Sequence, residues 1–190
     1  HFVNQILRHR TVAMGDNMAF ASFMSNVPVW KTARLQAWNN WPIIAYVRNY
    51  GYDPGGANSK LVRRPYCLTD PHNKETERRR VHAVVKVLAS YGVIYNLGDE
   101  NTLGNSDICW SPSCLEYFRR YLRRTYGELG KLNAKWNTAF KEWGQVMPLK
   151  LAEARSSGQY ARWADHRASM DSVWAENFRL GGEYIHELDP

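Results

Sequence analysis

Short apolar segments alternate with longer amphipathic ones along this chain, and that alternation limits the folds available to it. The segments Pro42–Val47, PIIAYV, and Val93–Leu97, VIYNL, each have the apolar and β-branched character of a buried strand. Between them, the segment Lys74–Ser90 has a helical stripe that comprises Val81, Val84, Val85 and Leu88. A strand, a helix and a second strand in this order predict a parallel sheet.

The residues after the second strand predict three helices. Ser111 and Pro112 are typical of an N-cap and a first helical position, and Gly127 is typical of a helix end. The predicted buried face of this first helix comprises Leu115, Phe118 and Leu122. A short helix follows in LGKLNAKW, and then a long helix from Gln159 to Leu188. The stripe of the long helix comprises Trp163, Met170, Trp174 and Tyr184.

The N-terminal part of the chain has weaker patterns. Lys31–Asn40, KTARLQAWNN, favours a helix, whereas VAMGDNMAFASFM, residues 12–24, is compatible with a strand or a loop. Alternating strands and helices leave a doubly wound sheet or a (β/α)8 barrel, and a complete barrel needs about 250 residues. With 190 residues, the chain is predicted to be α/β and part of a (β/α)8 TIM barrel.

Two adjacent acids follow the strand Val93–Leu97. In a barrel of this kind the C-terminal ends of the strands face the active site, so Asp99 and Glu100 are placed for chemistry. Arg64, in the loop before the helix Lys74–Ser90, lies on the same rim and can bind substrate hydroxyls or pair with an acid. Trp110 can stack on a ligand ring or belong to the core. A solvated loop acid is the competing interpretation of Glu100.

The net charge of +7 raises the question of nucleic acid. The clustered arginines lie in predicted helical segments that also contain acids at or near pairing distance. These arginines are Arg78, Arg79, Arg80, Arg119, Arg120, Arg123 and Arg124. This pattern favours a solvated helix face over a phosphate track, so we expect no nucleic-acid partner. No apolar run approaches the roughly 20 residues of a membrane-spanning helix, so we expect no membrane partner.

Several segments resemble the family-42 glycoside hydrolases, which are β-galactosidases of a large clan of (β/α)8 retaining glycosidases. YNLGDENTLG is similar to the end of the family's fourth strand, and RRPYCLTDP is similar to a segment upstream of it. CWSPSCLEYFRRYLRRTYGELGKLNAKWNTAF follows in the family's order. The resemblance extends from about Pro42 to the C-terminus. It implies that residues 1–190 form one partial catalytic barrel domain. This part of the barrel would include about strands 2–4 with their helices and a long helical segment before strand 5. Residues 1–30 have no counterpart in the resemblance.

The resemblance also implies roles for the acids. Glu100 corresponds to the family's acid/base, and Asp99 stands where the family has an asparagine that donates to the sugar 2-hydroxyl. Asp99, Arg64 and Trp110 are the predicted substrate-binding residues. The nucleophile is expected to lie outside this chain, so we expect the isolated chain to be inactive. With unpaired sheet edges, it is expected either to associate, for example as a homo-oligomer, or to be poorly stable.

The family resemblance implies a retaining, double-displacement hydrolase with a carbohydrate substrate and no required cofactor. The alternative is a non-catalytic carbohydrate-binding or assembly module that kept the scaffold. The replacement of the family's asparagine by Asp99 is the sequence feature that favours this alternative, because a carboxylate can only accept hydrogen bonds.

The three cysteines form the remaining constellation. Cys67, Cys109 and Cys114 match three of the four positions at which some family members bind zinc, and Ser111 stands at the fourth. Structural zinc prefers four Cys or His ligands. The alternatives are a structural zinc site, which would need a substitute ligand such as His72, and free or disulfide-paired thiols.

Overall fold

The computed structural model describes residues 67–89, 97 and 109–190, together with the strand residues 13–14, 37–39 and 94–95. The chain divides into two compact units. Unit 1 comprises His1–Arg48, Glu75–Asn101 and Phe178–Pro190, and unit 2 comprises Asn49–Lys74 and Thr102–Asn177. None of the helices in the described part of the chain is long and apolar enough to cross a membrane.

Three short parallel strands form a sheet in unit 1. They are β1 (Ala13–Met14), β2 (Ala37–Asn39) and β3 (Ile94–Tyr95), and they pair in that order. In the register of this sheet, Trp38 lies opposite Met14 on one side and Ile94 on the other. The pairing is parallel, as the alternation of strands and helices predicts, and β3 lies within the predicted strand Val93–Leu97.

The N-terminal predictions have different outcomes. The predicted helix Lys31–Asn40 is wrong at its end, because Ala37–Asn39 is a strand. Pairing with two neighbouring strands outweighs the local helical preference there. In the segment 12–24, Ala13–Met14 is a strand. The predicted strand Pro42–Val47 lies outside the described residues.

Helix α1 comprises Pro71–Leu88, and its valine side chains pack in the core of unit 1. It begins three residues earlier than the sequence predicts, because Asp70 Oδ1 accepts a hydrogen bond of 2.8 Å from the His72 N–H and caps the helix. Val81, Val84 and Val85 form a buried cluster with Ile185. This aliphatic cluster confirms the predicted valine stripe.

Exposed charges accompany the aliphatic cluster. The guanidinium of Arg78 donates to Glu187, with Nη2 at 2.6 Å from Oε2, and Nε2 of His82 lies 2.9 Å from the same oxygen. These contacts, led by the Arg78 hydrogen bond, lower the pKa of Glu187. Beside them, the hydroxyl of Tyr95 donates to Oδ2 of Asp189 at 2.7 Å. Polar contacts therefore join the C-terminal residues to α1 and β3.

Helix α2, Pro112–Tyr126, begins and ends as predicted. The side chain of Ser111 accepts from the Cys114 N–H at 3.2 Å, which caps the helix, and Gly127 ends it with a φ of 72° that suits glycine. Helix α3, Leu129–Trp136, matches the predicted segment LGKLNAKW. An aromatic cluster in unit 2 comprises Phe118, Leu122, Leu132, Trp136 and Val146, all of them buried.

One carboxylate joins three helices of unit 2. Oδ2 of Asp165 accepts from the hydroxyl of Tyr126 at 2.6 Å and from the indole N–H of Trp136 at 2.7 Å. Burial, followed by this contact with Asp165, raises the pKa of Tyr126 to about 12. The bonds tie the ends of α2 and α3 to the next long helix with fixed geometry.

Helix α4, Leu151–Ser157, precedes the long helix α5, Tyr160–His186. The extent of α5 agrees with the prediction, but its buried face does not. Of the predicted stripe, only Met170 is fully buried, whereas Trp163, Trp174 and Tyr184 are half-buried. The buried side chains of α5 are His166, Ser169, Met170, Val173, Asn177 and Ile185. Polar residues occupy half of this face, so hydrophobic spacing alone misplaces it.

Candidate functional site

The predicted sugar-binding residues are only partly within the described structure. Asp99, Glu100 and Arg64 lie outside the described residues, so their roles stay predictions. Trp110 is described and lies between Cys109 and the cap of α2.

The indole of Trp110 packs against a buried histidine rather than standing free. Its ring meets that of His166 edge to face, with 6.3 Å between the centroids and 88° between the planes. The Trp110 Nε1 atom is buried and has no hydrogen-bond partner among the described residues. The ring as a whole is half-buried. Its contact with a sugar stays a prediction.

The three cysteines come together in unit 2. Cys67 lies four residues before α1, Cys109 lies before the cap of α2, and Cys114 lies in the first turn of α2. The three sulfur atoms all lie within 4.8 Å of one another, and all three thiols are free. Cys67 is 3% exposed, and the other two are 0% exposed. Cys109 and Cys114 follow Cys67 by 42 and 47 positions in the sequence, and the three side chains form one buried sulfur cluster.

Two hydroxyls surround this sulfur cluster. The Oγ of Ser111 lies 2.9 Å from the Cys67 Sγ, and Oγ1 of Thr69 lies 3.1 Å from the same sulfur. Thr69 also donates to the Cys114 Sγ at 3.2 Å, and the sulfurs of Cys67 and Cys114 are 3.3 Å apart. Ser111 therefore has two roles, because the oxygen that caps α2 also contacts a cysteine sulfur.

The close contacts separate the acidities of the thiols. Hydrogen bonds from Cys109 and Cys114, followed by those from the two hydroxyls, hold the pKa of Cys67 well below its usual value, against the effect of burial. The pKa of Cys114 is raised by its contacts with Cys109 and Cys67 and by burial. These contacts favour loss of the proton from Cys67 over loss of the proton from Cys114.

The donor set does not fit a tetrahedral zinc site of four cysteines. Among the described residues, the only group of three or more Cys, His, Asp or Glu side chains with metal-ligand spacing comprises the three cysteines. His72, the substitute named above, is exposed and does not belong to this group. The fourth position is occupied by the neutral hydroxyl of Ser111, which is a poor zinc ligand.

Two residues near the sulfur cluster are not predicted to belong to a site, although Met170 is predicted to be buried. Met170 Sδ accepts from the Cys109 N–H at 3.3 Å, and His166 lies one helical turn before Met170 on α5. His166 is 0% exposed, and neither ring nitrogen has a hydrogen-bond partner in the described part of the chain. The spacing of four residues between His166 and Met170 is the signal that places both on one helix face.

The environment keeps the imidazole of His166 neutral. Burial, with a smaller effect of the positive charge of Arg167, lowers its pKa to about 4. The backbone of Cys109 acts in the opposite direction without a hydrogen bond of good geometry. The Phe118 ring packs edge-on against the imidazole at 5.2 Å between centroids, so an apolar wall surrounds it.

Comparison with known proteins identifies the class. The chain shares its fold with a crystal structure of β-galactosidase from Bacillus circulans sp. alkalophilus, with a TM-score of 0.60 and 15% identity over 93% of this chain and 34% of that one. It also matches a catalytic mutant of a family-42 β-galactosidase from G. stearothermophilus, with a TM-score of 0.63 and 14% identity over 99% of this chain and 31% of that one. The chain therefore has part of the TIM-barrel fold of these two proteins.

The sequence comparisons identify the family. The family model of the family-42 glycoside hydrolases, described as beta-galactosidase, matches residues 44–189, and the chain belongs to that family. A beta-galactosidase of Thermus thermophilus is 34% identical over 44% of this chain, and beta-galactosidase Bga of Halorubrum lacusprofundi is 28% identical over 73%. These matches cover 13% and 21% of the two relatives, so the chain spans a small part of their length.

Proposed function

We propose that this chain is a portion of a retaining glycoside hydrolase of β-galactosidase type that cleaves O-glycosidic bonds by double displacement. The observation that carries the proposal is the family match over residues 44–189, which includes the segment GDEN. The named relatives are beta-galactosidases. The substrate class is accordingly a carbohydrate with a glycosidic oxygen to be protonated.

In the proposed reaction Glu100 is the acid/base. It first protonates the leaving glycosidic oxygen while a second carboxylate, outside this chain, attacks the anomeric carbon. It then takes a proton from water, which hydrolyses the glycosyl-enzyme. Its pKa must therefore rise and fall with the charge on the nucleophile.

The other predicted residues bind the sugar in this proposal. Asp99 accepts from a sugar hydroxyl, Arg64 donates to one, and Trp110 packs on the ring. The contact between Trp110 and His166 supports this role, because a buried side chain holds the indole in a fixed position where it can form one side of a sugar site. No step needs a cofactor.

Replacement of Glu100 in the intact gene product tests the proposal. Glu100→Ala removes the proton donor and leaves the nucleophile, so turnover of natural sugars should fall by about 10² to 10⁴-fold. An aryl glycoside with a good leaving group should still form the glycosyl-enzyme. Azide, which needs no deprotonation, should then restore turnover and yield a β-glycosyl azide, detectable by mass spectrometry.

Asp99→Asn is the matched control, because it changes the neighbouring acid and conserves shape. It should lower turnover less than Glu100→Ala does. If instead Asp99→Ala abolishes activity and azide rescues it, the two acids have been assigned in the wrong order. An intact gene product that binds sugars and hydrolyses no aryl glycoside would favour the non-catalytic module.

A further inference from the structure

We propose that the sulfur cluster of Cys67, Cys109 and Cys114 is a three-coordinate thiolate site for copper(I), and that Ser111 prevents it from holding zinc tightly. The inference concerns residues other than the proposed catalytic acids and does not depend on the proposed function. It rests on the number of sulfurs, their burial and the hydrogen bonds of the nearby hydroxyls.

The geometry suits an ion bound by three sulfurs. A metal–sulfur bond of about 2.3 Å places three sulfurs about 4 Å apart around a trigonal ion. The observed separations fall around this value, with 3.3 Å between Cys67 and Cys114 and an upper bound of 4.8 Å for all pairs. Small side-chain rotations therefore suffice to bind such an ion.

The fourth coordination position is closed to a good ligand. With exposures of 3%, 0% and 0%, the cysteines leave little room for water to approach. The hydroxyl of Ser111 already accepts the Cys114 N–H, and its own hydrogen is placed to be donated to the Cys67 Sγ at 2.9 Å. Zinc in structural sites is almost always four-coordinate, so this hydroxyl would have to break its bonds to serve as a ligand.

The same hydroxyls support a site of three thiolates. As donors to sulfur, Ser111 and Thr69 spread the negative charge that three thiolates bring into a buried place. Cys114 lies in the first turn of α2, where the helix N-terminus also favours anions. Soft thiolates select copper(I), which accepts three of them in a plane. Each thiol loses its proton when the ion binds.

The test compares copper(I) with zinc in the intact gene product, reduced and without oxygen. Wild type should bind one copper(I) ion, seen as a sulfur-to-copper absorption band in the ultraviolet. Ser111→Cys adds a fourth sulfur and should bind zinc at least tenfold more tightly than wild type, in competition with a zinc chelator. Cys109→Ser should lose copper(I) binding.

Ser111→Ala is the second variant, because it removes the hydroxyl and keeps all three sulfurs. It should retain copper(I) binding even if Ser111→Cys fails to fold by circular dichroism. The proposal is wrong if wild type binds zinc as tightly as a four-cysteine site does, with zinc displacing copper(I). It is also wrong if copper(I) binding survives Cys109→Ser.

Discussion

Unit 1 and unit 2 hold their helices by different means. In unit 1 the valines of α1 and Ile185 form an aliphatic cluster, and the polar contacts beside it, such as Arg78 with Glu187, are exposed to solvent. In unit 2 the rings of Phe118 and Trp136 pack with aliphatic side chains, and Asp165 accepts two hydrogen bonds beside them. Aliphatic packing is non-directional, whereas hydrogen bonds fix one arrangement. Unit 2, which contains the sulfur cluster, is therefore the more precisely specified of the two.

The largest expected difference lies in the cores. Phe118→Ala, in the aromatic cluster, should lower the free energy of unfolding by about 4 kcal/mol, because a whole buried ring is lost and a cavity remains. Val85→Ala, a smaller deletion in the aliphatic cluster, should cost about 2 kcal/mol because fewer buried atoms are lost. Denaturant unfolding of the intact gene product measures both. Equal losses would contradict the contrast between the units.

The next largest effect is expected from pH. The pKa of His166 falls from 6.5 to about 4 on folding, so the folded state favours the neutral ring. This preference contributes fully to the free energy of unfolding above pH 6.5. The contribution, up to about 3 kcal/mol, is lost as the pH falls toward 4. His166→Leu should change stability little at pH 7, since the ring nitrogens have no partners among the described residues.

The measurement for His166 is the unfolding free energy from pH 7 to 4 in both proteins. Other acids titrate in the same range, so the difference between wild type and His166→Leu is the informative quantity. That difference should grow in favour of the variant as the pH falls. Parallel curves would show that His166 is not the group responsible.

The smallest expected difference compares carboxylates. Asp165→Ala leaves the hydroxyl of Tyr126 and the indole of Trp136 without their acceptor and should cost about 2 kcal/mol. Glu187→Ala in unit 1 removes an exposed partner of Arg78 and should cost less, with an effect that salt of about 1 M abolishes. Thermal melts at low and high salt measure both. A loss for Glu187→Ala that exceeds the Asp165 loss, or persists in salt, would refute this ranking.

Local signals were sufficient for much of the helical structure. Ser111, Pro112 and Gly127 have the chemistry that begins and ends a helix, and α2 follows them. The valine stripe of α1 lies in the aliphatic cluster. These features depend on residues close together in the chain, so the sequence alone specifies them.

The errors arise where tertiary contacts decide the outcome. Ala37–Asn39 pairs with two strands, a fact that no local pattern around Trp38 indicates. The buried face of α5 includes His166 and Asn177, polar residues that a search for hydrophobic spacing passes over. The approach of Cys67 to Cys114 was suggested by family resemblance rather than by spacing, since the two are 47 positions apart.

Ser111 links the sulfur cluster to the stability of α2 in a way that has an evolutionary consequence. Serine is among the best N-caps, so the side chain at this position stabilises the helix whatever the supply of metal. A cysteine there would forgo part of that cap and add a ligand, which makes folding depend on the ion. Most serine codons lie one base change from a cysteine codon, so a lineage with such a codon can move in one step between a helix that folds without metal and one that a metal ion stabilises.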